Sequence, residues 1–136
     1  MKKLIAMTLF VAAPLAACAP QTPSLDQAKT TYCSALVAFD QASAKLQATM
    51  TPSATVGQLK QAQQAVDKAY EGVAAASAQL KEVKQDDIQA AYKDLQRTVN
   101  GISDKATLQQ AFATVQPKAA ALQSAVQTSR TAVQCP

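Results

Sequence analysis

Apolar residues recur along this chain at three- and four-residue intervals, with Gln, Lys, Thr and Asp between them. That is the period of an amphipathic helix, and no run shows the sustained alternation of a half-buried strand. A first stripe runs through Leu25, Ala28, Tyr32, Leu36, Phe39, Leu46 and Met50. Ser24 with Gln27 three residues on reads as its capping box, and Thr51-Pro52-Ser53 stops it. A second stripe carries Val56, Leu59, Ala62, Val66, Tyr70, Val73, Leu80 and Val83, opened by Thr55 with Gln58. A third carries Ile88, Tyr92, Leu95, Val99 and Ile102, and a fourth Leu108, Phe112, Val115, Leu122, Val126 and Val133. The pattern predicts an all-α fold: an antiparallel up-down helical bundle in which alanines let the helices approach closely.

The breaks set the helix count. Those at 51–53, at Asn100-Gly101 and at Pro117 are plain, whereas Lys84-Gln85-Asp86-Asp87 has neither Gly nor Pro. Its charges argue for a junction all the same. Lys81 and Lys84 suit the negative end of one helix, and Asp86 and Asp87 the positive start of the next. The expectation is four helices at about 24–50, 55–84, 87–115 (jointed near Gly101) and 117–134. The alternative is three, with a long middle helix over 55–100.

Ahead of the stripes the pattern changes. Met1-Lys2-Lys3 is followed by an apolar run from Leu4 to Ala13. A basic start and an apolar stretch of about ten residues form a secretory signal peptide, too short to span a bilayer. It closes on Leu15-Ala16-Ala17-Cys18, which resembles the lipobox of bacterial prolipoproteins. The resemblance covers residues 1–18 only. It implies removal of 1–17, a diacylglycerol on the Cys18 sulfur and, usually, acylation of the new amine. It also implies a chain that is exported and lipid-anchored to a bacterial membrane. Ala19 follows, where an aspartate favours the inner membrane in enteric bacteria, so the outer membrane facing the periplasm is expected. Residues 18–23 hold Pro20 and Pro23, an extended tether of about 3.1 Å per residue. The folded domain, 24–136, would hang within roughly 20 Å of the membrane.

With Cys18 assigned to lipid, Cys33 and Cys135 remain as an even pair, which in an exported chain is expected to bridge. Two free thiols are the alternative. A bridge also serves as a ruler. At 1.5 Å of rise per residue, a third run jointed at Gly101 and a fourth helix from Pro117 bring Cys135 level with Cys33, whereas a full reversal at Gly101 overshoots by roughly 20 Å. The three-helix arrangement passes the same test.

Composition then limits the chemistry. There is no histidine, so Ser-His and Cys-His nucleophiles are excluded. No Cys-x-x-Cys or glycine-rich phosphate loop occurs, and no cofactor or metal site is expected. Asp86-Asp87 is better read as a helix start than as a cation site. Losing Lys2 and Lys3 brings the formal charge from +4 to about +2, and the basic residues are not interleaved with aromatics, so nucleic acid is not an expected partner. Tyr70 and Tyr92 are the candidate ligand-facing residues, with core packing as the competing role. The expectation is a non-enzymatic envelope lipoprotein with an interaction or structural role. It would be held to the membrane through Cys18 and bind an envelope protein or cell-wall component. A small-ligand or lipid-binding bundle in the periplasm is the alternative.

Overall fold

The computed structural model describes residues 23–80, 83 and 85–136. The leader, Cys18, all but the last residue of the tether, and Lys81 and Lys84 of the expected charge pattern lie outside the described residues.

Among the described residues four helices form: α1 (Leu25–Thr49), α2 (Val56–Ser77), α3 (Asp86–Asn100) and α4 (Leu108–Val133). Each packs on two neighbours, α1 and α3 both touching α2 and α4, as an up-down bundle requires. The end holding Ser24 and Cys135 is called the base here, and the end holding the 50–55 and 101–107 turns the distal end.

Three helices, α1, α2 and α4, start on side-chain caps, whereas α3 starts at Gln85 with none. The Ser24 hydroxyl accepts from the Gln27 amide at 3.2 Å, one half of the expected box. Thr55 and Gln58 form the full box, with bonds of 2.8 and 3.1 Å. Thr107 and Gln110 form another, at 3.3 Å in both directions. Such caps satisfy amides that have no partner within the helix, each worth about 1 kcal/mol.

The four-helix count holds, but three boundaries fall elsewhere than expected. First, α2 stops at Ser77, not Lys84, so a single helix over 55–100 is ruled out. The Ser77 hydroxyl turns back on the Ala74 carbonyl at 2.8 Å, the Leu80 amide makes a tight bond to the Ser77 carbonyl at 2.8 Å, and Leu80 drops into the core. Second, Gly101 is no joint within a helix. The chain reverses across 101–107, and a Cβ at Gly101 would stand only 3.1 Å from the Arg97 carbonyl. Third, Pro117 does not begin a helix but lies inside α4. It sits on the exposed face, where water can serve the carbonyl that its missing N–H leaves free.

The expected overshoot disappears for a definite reason. Gln85 Nε2 donates to the Val73 carbonyl at 3.2 Å, so α3 sets off level with Val73. A helix continued to Lys84 would have ended about 17 Å below that level. The connection after Ser77 regains this height, and the reversal at 101–107 then fits.

The core runs the length of the bundle. Tyr32, Leu36, Phe39 and Leu46 of α1 are fully buried, as are Leu59, Val66 and Val73 of α2. Ile88, Leu95 and Val99 come from α3, and Val115, Ala119, Leu122 and Val126 from α4. Phe112, expected in the fourth stripe, is only half-buried; Ala111 and Ala119 take the inward positions instead. Small side chains at those points bring α4 close to its neighbours, while each fully buried Leu or Val contributes about 1.5–3 kcal/mol.

Candidate functional site

Two seams join the α1–α2 hairpin to the α3–α4 hairpin, and Cys33, Cys135, Tyr70 and Tyr92, singled out from the sequence, lie in them. In the α1–α4 seam, Cys33 and Cys135 are at disulfide distance, with S–S 2.03 Å and Cα–Cα 5.5 Å. Gln134 makes this possible. It takes the left-handed conformation, φ 58° and ψ 48°, and the Cys135 amide then bonds back to the Arg130 carbonyl at 2.9 Å. The chain end is thereby folded against α1. One turn deeper, the Tyr32 hydroxyl and Ser129 Oγ share a buried hydrogen bond of 2.8 Å.

The α2–α3 seam holds Tyr70 and Tyr92. Their rings stack at 3.9 Å and 13°, and Phe39 of α1 meets them at 5.9 and 6.4 Å. Tyr92 is buried and Tyr70 half-buried. Helical spacing brings further residues to them. Asp67 and Gln63 lie one and two turns before Tyr70 on α2, and Gln96 lies one turn after Tyr92 on α3. Asp67 Oδ1 accepts from Gln63 Nε2 at 2.8 Å, from the Tyr92 hydroxyl at 2.8 Å and from Gln96 Nε2 at 3.3 Å. Gln96 Nε2 also donates to the Tyr92 oxygen at 2.8 Å. Gln63 is 2% exposed, and its Oε1 has no partner. Burial, then the hydrogen bond to Asp67 and its negative charge, pushes the Tyr92 phenol well above its ordinary 10.0. Its proton is therefore held through neutral and mildly alkaline pH, and the cluster acts as a hydrogen-bonded clasp.

Gln63, Asp67 and Gln96 were not singled out from the sequence. One signal pointed to them: Gln63 stands four residues after Leu59, in core register, where a polar side chain needs a partner. The partner itself, on another helix, has no local signature.

Two ion pairs add surface links. Lys118 Nζ meets Asp94 at 2.7 Å between α4 and α3, and Lys60 Nζ meets Asp104 at 2.8 Å between α2 and the 101–107 turn. Each lysine holds its partner's carboxyl below the usual range, first by hydrogen bonding to it. Both pairs are exposed and contribute little.

Among the described residues, three clefts stand out on the surface. One of about 450 Å³ lies at the distal turn, between Lys45, Thr49, Thr51 and Ser53 on one side and Gln58 and Gln61 on the other. A second, of about 600 Å³, lies at the base among Leu25, Leu80, Val83, Ile88, Ala125 and Val133. The third, about 330 Å³, runs beside the Cys33–Cys135 pair. Tyr70 and Tyr92 line none of these three. Among the described residues no group of three or more Cys, Asp or Glu side chains is placed to hold a metal ion, and no helix is long and apolar enough to cross a membrane.

No family model, curated protein or solved structure matches this chain. The functional reading therefore rests on its own residues.

Proposed function

We propose that the chain is a lipid-anchored cell-envelope lipoprotein with a non-enzymatic interaction or structural role. Under this reading it is exported, carries lipid on Cys18 and faces the periplasm from the outer membrane. One observation carries the proposal: Leu15-Ala16-Ala17-Cys18 follows a basic and then apolar start and stands six residues before the Ser24 cap of α1. Each buried methylene adds about 0.8 kcal/mol, and two or three acyl chains hold a protein stably where one holds it marginally. A tether that enters at the base leaves the distal end facing away from the bilayer. The cleft there, where Thr49, Thr51, Ser53, Gln58 and Gln61 offer hydrogen-bonding groups, supports that end as the contact surface for an envelope protein or cell-wall component.

Growth with labelled palmitate tests the anchor. Label is expected in the wild type and absent from Cys18→Ala; equal labelling of both would refute it. Crosslinking in cells at native expression, followed by pull-down, tests the role, and recovery of no specific partner would count against it. The alternative, a small-ligand or lipid-binding bundle, draws support from the apolar basal cleft. It draws little from Tyr70 and Tyr92, whose rings face each other. Native mass spectrometry of protein lacking residues 1–18 separates the two readings, since only the ligand-binding one expects a co-purified ligand mass.

A further inference from the structure

We infer that the basal cleft receives one of the acyl chains carried by Cys18 of the same molecule; this rests on the anchoring reading above. The cleft lies between the first turn of α1, the α2–α3 connection and the last turns of α4. Leu25 forms part of its wall and is 64% exposed, one of two large apolar side chains left in the open among the described residues. Its volume of about 600 Å³ is within the range of pockets that enclose small apolar ligands.

Three observations select the occupant. The chain outside the described residues enters at this end, and Cys18 precedes Leu25 by seven residues, a span of about 20 Å when extended. A chain on Cys18 therefore arrives at the cleft at high effective concentration. Next, both lining hydroxyls are already engaged, Ser129 with Tyr32 and Thr128 with the Ser124 carbonyl, which leaves Gln79, Lys29 and Asp87 as the polar groups around a mostly aliphatic wall and suits an apolar occupant. Finally, Lys29 and Asp87 both line it and cancel in charge. That suits the ester- or amide-linked chains of a lipidated cysteine, which end in no carboxylate, better than a free fatty acid. The consequence is mechanical. Withdrawing one chain of a diacylated Cys18 leaves a single chain and a reversible hold, whereas a triacylated Cys18 keeps two chains in the bilayer and stays firmly held.

The full-length protein, expressed in bacteria fed a palmitate analogue bearing a diazirine, is purified in its lipidated form, irradiated and mapped by mass spectrometry. The expected result is an intramolecular crosslink from the Cys18 lipopeptide to peptides carrying Leu80, Ile88, Ala125 or Val133. Ala125→Trp should abolish it by filling the cleft. Ala132→Trp, at an exposed lining position, should do the same without challenging the core. Crosslinks confined to detergent or lipid overturn the inference while leaving the anchor intact. So do crosslinks to a second copy, and so does binding of free palmitate by protein lacking residues 1–18 with no crosslink from the molecule's own chain. Absence of the analogue from the Cys18 peptide overturns the anchor and the inference together.

Discussion

The two seams between the hairpins solve the same problem by different means. Along α1–α4, apolar packing is backed by the Cys33–Cys135 pair and one buried hydroxyl–hydroxyl bond. Along α2–α3, a carboxylate, two amides and a phenol form a network beside stacked rings. A covalent link acts mainly on the unfolded chain, whose freedom it restricts. A buried polar network acts on the folded state, because a slipped register would strand its members without partners. One seam contributes stability and the other specifies how the helices align.

Cutting the covalent seam has the largest expected effect. Cys33 and Cys135 are 102 residues apart. For a loop of that length the chain-entropy account gives about 4.7 kcal/mol. Replacing both with Ala should lower the stability measured by urea unfolding by several kcal/mol, with helical circular dichroism retained below the transition. A loss below about 1 kcal/mol would mean that packing alone holds α1 to α4.

Asp67→Ala comes next. It strands the Tyr92 hydroxyl and the Gln63 amide in a buried seam, and about 2–3 kcal/mol should be lost. Asp67→Asn, which keeps an acceptor, should lose less. Equal losses would show that the carboxylate's charge, and not its acceptor geometry, matters.

Tyr92→Phe should cost about 1 kcal/mol at neutral pH, and its pH profile is the more telling measurement. The folded protein binds the Tyr92 proton more tightly than the unfolded chain does. The stabilisation is thus fully present below the ordinary tyrosine value of 10.0 and is lost as pH rises beyond it. Urea midpoints measured from pH 9 upward should fall in the wild type and fall less steeply in the variant; parallel profiles would disprove the clasp. The smallest effect is expected when both partners of the buried Tyr32–Ser129 bond are removed together, as Tyr32→Phe with Ser129→Ala, about 1 kcal/mol or less, since no polar group is then left stranded; Ser129→Ala alone should cost more.

How far each seam could be read in advance differs in the same way. The cysteine pair follows from counting once Cys18 is set aside, and the stripe positions Tyr32, Tyr70 and Tyr92 follow from helical spacing. The network does not: the core register of Gln63 says only that it needs a partner, and Asp67 and Gln96 look like surface residues until another helix packs against them. Helix ends divide similarly. Thr51-Pro52-Ser53 marks its break openly, and Thr107 with Gln110 carries a capping signature that the more conspicuous Pro117 obscures. The stop at Ser77 depends on Leu80 reaching the core and Gln85 reaching Val73, contacts that exist only once the bundle has formed.

By itself the sequence determined what depends on near neighbours along the chain: helical period, most caps and most of the apolar faces. These rest on interactions within a few residues, which the order of side chains specifies directly. Only the tertiary structure decided where α2 ends, that the chain reverses at 101–107, that Asp67 ties two helices together, and that an apolar cleft opens where the tether enters. Each of these depends on which distant faces meet, and on the buried polar groups and close-packed volumes that have to be satisfied when they do.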